Sequence, residues 1–110
     1  MNDCRERCVI LLPSLNPDEK FDRVLDGLRE AGFRHILIVD DDPDIRNVLN
    51  LLLRQDYETA EAADGQEAVQ YMLENPETDL VILDVMMPGM DGIQTCETIR
   101  EHSNVPVLFL

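Results

Sequence analysis

Apolar residues along the chain are grouped into short continuous runs, and between the runs they recur at helical spacing. Ile36 to Val39 and Leu80 to Leu83 contain no polar residue, which is typical of parallel strands buried on both faces. Tyr57 to Ala62 is interrupted by two glutamates and therefore predicts an edge strand protected by charge. Two further strands are predicted at Cys8 to Leu12 and at Val105 to Leu110.

The stretches between these runs predict four helices. Each is preceded by a residue that can cap a helix N-terminus: Asn16, Asp42, Asp64 and Asp91. This alternation predicts parallel βα units in a three-layer, doubly wound α/β fold with a five-stranded sheet. We predict one domain over residues 1–110, made of an N-terminal βα unit at 8–34 and a second segment at 35–110.

Charge and composition then restrict the classes of partner. Asp and Glu number 23 against 9 Lys and Arg, for a formal net charge of -14, which repels phosphate backbones and anionic membranes. We therefore expect neither nucleic acid nor a membrane as a partner. The absence of a secretory signal pattern and of a long uncharged run predicts a cytoplasmic protein. The three cysteines lack CxxC spacing, so no disulfide framework is expected, and Cys96 is predicted to be a thiol in the core.

Acidic residues follow both of the buried runs. Asp40 and Asp41 come directly after the first, and Asp84 comes directly after the second. Ligands of open parallel sheets bind at the carboxyl ends of strands, so these three carboxylates are expected to converge. Their mutual repulsion would raise their pKa values or require a cation, and Mg²⁺ suits an oxygen-only site. A carboxylate beside such an ion can attack a phosphoryl group, which makes Asp84 the candidate nucleophile; the alternative is that all three merely cap helices.

Three segments resemble the receiver domains of two-component response regulators. The first is ILIVDDDPDIR at 36–46, which is similar to the first strand and helix start of that family. The second is DLVILDVMMPGMDG at 79–92, which is similar to its phosphorylation loop, and the third is 105–110, which is similar to its fourth strand. The resemblance implies a flavodoxin-like fold with Asp84 as phospho-acceptor and Asp40 and Asp41 as the acidic pair. It also implies that the backbone carbonyl of Met86 completes a magnesium site. A histidine kinase or a small phosphodonor is the implied partner, and no enzymatic activity is expected.

The sequence also departs from the family pattern. The family has a Ser or Thr directly after its fourth strand and later a Lys-Pro pair, whereas the only lysine here is Lys20. We therefore expect weak Mg²⁺ binding, and signalling that is impaired or absent.

A second resemblance concerns the N-terminal part. Residues 9–20 and 32–41 are similar to the opening βαβ unit of family 2 glycosyltransferases, and they overlap the receiver-like segment at His35 to Asp41. The overlap predicts an engineered or recombined chimera in which the first strand lies beside Val105 to Leu110 and replaces a missing fifth receiver strand. The alternative places that strand beside Ile36 to Val39. Two other functions stay open: a fold-test protein without biochemical activity and, less favoured, residual nucleotide-sugar binding.

Overall fold

The computed structural model describes residues 8–10 and 32–109. The strands in these residues are β1 (Cys8–Ile10), β2 (His35–Val39), β3 (Glu58–Ala62), β4 (Leu80–Leu83) and β5 (Val107–Phe109). The helices are α1 (Pro43–Leu53), α2 (Gly65–Glu74) and α3 (Gly92–Arg100). The helix predicted after Asn16 and the single lysine, Lys20, lie outside the described residues.

All strand pairs in this part of the chain are parallel, and the order across the sheet is β1-β5-β4-β2-β3. Strands β2 and β4 lie at the centre, and every residue of β4 is buried. The predicted parallel α/β sheet is confirmed. The three-residue strand β1 pairs with β5, with Cys8 opposite Val107, so it lies beside the last strand and not beside β2. The alternative position considered for the first strand is therefore wrong.

The two faces of the sheet are covered by different helices, because successive residues of a strand point to opposite faces. On one face, α2 and α3 pack against Leu37, Val39, Val81, Leu83, Val107 and Phe109. On the other face, α1 packs against Ile36, Ile38, Leu80, Ile82 and Leu108. This arrangement is the predicted three-layer architecture.

Each described helix begins at one of the predicted caps. The side chains of Asp42, Asp64 and Asp91 accept hydrogen bonds from backbone N–H groups in the first turns of α1, α2 and α3. Asp91 and Gln94 form a reciprocal capping box at the start of α3. The three predicted caps are confirmed, and each helix start is set by local sequence.

Two further observations concern the chemistry of the chain. Cys96 is fully buried but forms a disulfide bond, so its assignment as a free core thiol is wrong. Sequence spacing detects only cysteines that are close along the chain, whereas a disulfide requires only that the fold bring two Cα atoms close together. No helix in the described part of the chain has the length and the apolar character that crossing a membrane requires.

Candidate functional site

The carboxyl ends of the central strands bring the three predicted acidic residues together. Asp40, Asp41 and Asp84 each place one carboxylate oxygen within 4.8 Å of the others. Asp40 is the deepest, with 6% of its surface exposed, while Asp84 is half-buried and Asp41 is exposed. The group is a small acidic pocket that is open to solvent on the Asp41 side. We call it the acidic trio.

The parallel register explains why these residues meet. Val39 and Leu83 are register partners at the ends of β2 and β4, and the acids are the next residues along. The N–H of Asp84 donates to the carbonyl of Val39 at 2.9 Å, and the N–H of Asp40 donates to the carbonyl of Ala62 at 3.2 Å. Backbone bonds therefore fix where both side chains leave the sheet.

Hydrogen bonds from backbone N–H groups two residues further along the chain then orient the two deeper carboxylates. Oδ1 of Asp40 accepts from the N–H of Asp42 at 2.9 Å, and Oδ1 of Asp84 accepts from the N–H of Met86 at 3.0 Å. Met86 exposes 81% of its surface, so its side chain contributes little packing to the loop. The role predicted for its carbonyl in metal binding stays a prediction.

The electrostatics of the trio disfavour three negative charges without a cation. Burial raises the pKa of Asp40 to about 6, and the nearby charges of Asp84 and Asp41 act in the same direction. The hydrogen bond from Asp42 opposes this increase. Burial is also the main reason that the pKa of Asp84 is raised, with the charge of Asp41 adding to it. The pocket therefore favours a bound proton or a bound metal ion.

The donor atoms of the trio fit magnesium. They are carboxylate oxygens only, which hard divalent cations prefer, whereas zinc sites in proteins usually include sulfur or imidazole ligands. Mg²⁺ keeps several of its octahedral positions for water or phosphate oxygens, and the exposure of Asp41 leaves room for them. The chemistry of the residues present therefore fits Mg²⁺, which Asp40, Asp41 and Asp84 would hold.

Two residues next to the trio had no role in the sequence-based predictions. Nη1 of Arg46 donates to the backbone carbonyl of Asp40 at 2.7 Å. Gly92 lies against the Asp84 backbone, where a Cβ atom would be 2.3 Å from the Asp84 carbonyl oxygen. Neither contact leaves a signal in sequence spacing, because an arginine in the first turns of a helix and a glycine after a loop are both common.

Comparison with known proteins identifies relatives of this chain. The response regulator receiver domain family matches residues 36–110. The chain is 55% identical over 76 residues to the uncharacterized transcriptional regulatory protein YrkP of Bacillus subtilis, a match covering 68% of this chain and 32% of YrkP. It is 42% identical over 78 residues to the DNA-binding response regulator MtrA of Mycolicibacterium smegmatis, covering 70% of this chain and 34% of MtrA. The chain thus spans about a third of these relatives.

Solved structures agree with this result. The receiver domain from the hybrid histidine kinase CckA matches with a TM-score of 0.64 and 44% identity, over 68% of this chain and 72% of that one. The chemotaxis protein CheY4 of Vibrio cholerae matches with a TM-score of 0.65 and 33% identity, over 70% of this chain and 67% of that one. The predicted receiver resemblance and flavodoxin-like fold are confirmed.

Other predictions gain no support from these relatives. The family match begins at residue 36, so it leaves the segment 8–34 without the glycosyltransferase relationship that its sequence suggested. Neither an engineered chimera nor residual nucleotide-sugar binding is supported. The expected absence of a nucleic-acid partner is also unsupported, because MtrA is named a DNA-binding response regulator. Net charge concerns only direct contact by this chain, which spans 34% of MtrA.

Proposed function

We propose that this chain, which belongs to the response regulator receiver domain family, accepts a phosphoryl group on Asp84 beside a bound Mg²⁺. The observation that carries the proposal is the convergence of three carboxylate oxygens within 4.8 Å at adjacent strand ends. Helix capping alone does not account for this convergence, because the caps of the described helices are other residues, Asp42, Asp64 and Asp91.

The proposed reaction is a displacement at phosphorus. One carboxylate oxygen of Asp84 forms a bond to phosphorus while the bond between phosphorus and the donor's leaving atom breaks, and the leaving atom keeps the electron pair. The product is an aspartyl phosphate on Asp84. Mg²⁺, when held by the trio, supplies neutralisation of the charge on the phosphoryl oxygens. The N–H of Met86 donates to Oδ1 of Asp84 at 3.0 Å and so helps to orient the attacking carboxylate.

Labelling with a small phosphodonor tests the acceptor. The chain is incubated with acetyl phosphate and Mg²⁺, and intact mass spectrometry measures addition of one phosphoryl group per chain. Asp84→Asn is expected to abolish the addition, because an amide oxygen is a poor nucleophile. Asp91→Asn is the matched control, since it changes a carboxylate in the same loop while an asparagine still caps α3. Equal labelling of the parent and Asp84→Asn would reject Asp84 as the acceptor.

A separate experiment tests whether the chain binds Mg²⁺ and needs it for labelling. The unphosphorylated chain is titrated with Mg²⁺ and observed by NMR. We expect chemical-shift changes for the backbone amides of the residues that come directly after Asp40 and Asp84. Asp41→Asn should weaken binding, because it removes one of three carboxylate ligands while the exposed position tolerates an amide. Chelation of Mg²⁺ should also stop labelling by acetyl phosphate. Labelling that continues at full rate in a chelator would reject the proposed role of the ion.

We also propose a histidine kinase as the physiological donor and control of transcription as the output. Support comes from the receiver family and from the names of the regulatory proteins that match this chain. In this role the chain is a stoichiometric acceptor and not an enzyme that acts on a separate substrate. Transfer from a radiolabelled, autophosphorylated histidine kinase, saturating at one phosphoryl group per chain, is the expected result. The predicted impairment of signalling stays a prediction.

The short strand β1 belongs to the same proposal. We propose that it occupies the position beside β5 that the fifth strand of a receiver takes in the family. Its parallel pairing with Val107, Leu108 and Phe109 supports this, because it shields one edge of β5 from solvent.

A further inference from the structure

Arg46 in α1 joins the ends of two strands next to the acidic trio. Its Nη1 donates to the backbone carbonyl of Asp40 at 2.7 Å, at the end of β2. Its Nε lies 3.3 Å from a carboxylate oxygen of Glu61 in β3. Only 18% of the Arg46 side chain is exposed, against 40% of the Glu61 side chain, so the guanidinium group is largely shielded from water while Glu61 is partly solvated. A hydrogen bond from a shielded charged group to a backbone carbonyl is stronger than one between neutral groups.

The backbone carbonyl that Arg46 contacts lies between two members of the acidic trio. It belongs to the peptide bond between Asp40 and Asp41, so its orientation sets the directions in which both carboxylates leave the backbone. The N–H of Asp42 already holds the side chain of Asp40, and Arg46 holds the backbone of the same turn. Together the two hydrogen bonds hold both the side chain and the backbone carbonyl of Asp40 in this turn.

We propose that Arg46 is a positioning residue for the acidic trio. Its guanidinium group, held by Glu61, fixes the Asp40–Asp41 peptide and thereby the spacing of the carboxylates that bind Mg²⁺. This inference rests on the proposed function, because it assigns a role to the side chain that supports the same metal site. Loss of a residue that orients metal ligands typically weakens metal binding about 10- to 100-fold.

A competing physical effect has the opposite sign. A positive charge close to the trio repels Mg²⁺, so removal of Arg46 would strengthen metal binding if charge were its only influence. Lysine keeps the charge but presents a compact ammonium in place of a planar group that can contact two partners at once. Arg46→Lys therefore separates positioning from charge.

The experiment measures Mg²⁺ affinity by NMR titration of the full chain, together with unfolding in urea. Arg46→Met is expected to weaken Mg²⁺ binding about 10-fold, and Arg46→Lys by a smaller factor. Glu61→Gln should also weaken binding, and its effect should not add to that of Arg46→Met, because both changes disrupt one contact network.

Asn50→Ala is the matched control. Asn50 lies one turn after Arg46 in α1 and its side chain accepts a hydrogen bond from Thr59, so it too links this helix to β3. Among the hydrogen bonds of the described residues, none joins the Asn50 side chain to the acidic trio. Asn50→Ala is expected to lower stability and to leave Mg²⁺ affinity unchanged.

Three results would overturn the proposal. Unchanged affinity in Arg46→Lys combined with tighter binding in Arg46→Met would overturn the proposal in favour of a purely electrostatic effect. Unchanged affinity in both variants would overturn it as well, while leaving the phospho-acceptor proposal intact. Absence of Mg²⁺ binding by the parent chain would overturn both proposals. If Arg46→Met does not fold, Arg46→Lys and Glu61→Gln decide the question.

Discussion

At the scale of single residues, the acidic trio lowers the stability of the metal-free fold at neutral pH, because it holds negative charge in a buried site. Asp40 is buried next to two other carboxylates, and its ordinary pKa of 3.8 is raised to about 6. A shift of that size means that the charged form is held in a less favourable environment than in the unfolded chain. Asp79 shows the opposite case: its side chain accepts from the N–H groups of Arg34 and His35, which lowers its pKa.

The pH dependence of folding follows from these directions. A group with a raised pKa stabilises the fold when protonated, so the Asp40 contribution is present below about pH 4 and lost as the pH rises through about 6. Without Mg²⁺, the free energy of unfolding should therefore fall across this interval, and Asp84 acts in the same direction. The lowered pKa of Asp79 has the opposite effect: its stabilisation is fully present above its ordinary value of 3.8 and is lost as the pH falls below that value.

Asp40→Asn tests this assignment. The amide oxygen can still accept the hydrogen bond from Asp42, but the buried negative charge is removed. We expect the variant to be more stable than the parent at neutral pH by about 1–3 kcal/mol without metal, with a smaller fall in stability between about pH 4 and 6. It should also lose Mg²⁺ affinity. Urea unfolding across this range, in chelator and in Mg²⁺, measures all three effects, and an unchanged pH profile would contradict the assignment.

At the scale of elements, the start of α3 packs closely against the backbone of Asp84 and Val85. The N–H of Gly92 donates to the carbonyl of Val85 at 3.0 Å, and a Cβ atom at Gly92 would be 2.7 Å from the Val85 Cα. The Val85 Cα and the Asp84 carbonyl are both backbone atoms, so they cannot move away without displacing the chain at Asp84 and Val85. Gly92 therefore allows α3 to approach Asp84 closely.

Gly92→Ala should disturb the acceptor as well as the fold. We expect a loss of stability of about 1–3 kcal/mol from overpacking, with slower labelling by acetyl phosphate because Asp84 is displaced. Gly89→Ala is the control in the same loop: Gly89 has φ +75° and open space around it, so alanine there strains the backbone without a collision. Comparable stability losses with slower labelling only in Gly92→Ala are expected, measured by urea unfolding and intact mass. Unaltered labelling of a folded Gly92→Ala would contradict this account.

Element boundaries also show where local pattern stops being informative. The last strand was predicted over Val105 to Leu110; in the described residues it is Val107–Phe109, and Leu110 lies outside them. Val105 is buried and precedes Pro106, which has no N–H to donate to a neighbouring strand. Apolar character thus marks burial beyond the strand, while hydrogen bonding decides where the strand itself begins.

At the scale of the whole molecule, β1 lies at one edge of the sheet and β3 at the other. The β3 edge carries the exposed Glu58 and Glu61, which discourage pairing with other chains. The β5 edge is covered by β1, and all three residues of β5 are buried. The two edges are thus protected in different ways, one by charge and one by an added strand.

Deletion of residues 1–10 tests the role of β1. Loss of its backbone pairing with β5 is expected to lower the free energy of unfolding by about 1–3 kcal/mol and to increase self-association, because a buried strand becomes an edge. Both chains are measured with a reducing agent, so that the Cys96 disulfide does not contribute to the difference. Urea unfolding and light scattering report the two effects. Identical stability and light scattering for the two chains would show that β1 contributes nothing to the sheet.

The sequence by itself determined the features that depend on neighbours along the chain. The uninterrupted runs ending at Val39 and Leu83 predicted central strands, and the aspartates after them predicted the acidic trio. The caps at Asp42 and Asp91 were predictable for the same reason, because a cap bonds to a backbone group only two or three residues away.

Only the tertiary structure decided the features that depend on residues far apart in sequence. The choice between the two positions considered for β1, the disulfide at Cys96, and the contact of Gly92 with Asp84 depend on packing between separate elements. The same holds for Arg46, which joins the ends of β2 and β3 through a carbonyl that no motif reveals. Sequence spacing thus located the charges of the site, whereas packing decided how deeply each carboxylate is buried and what holds it in place.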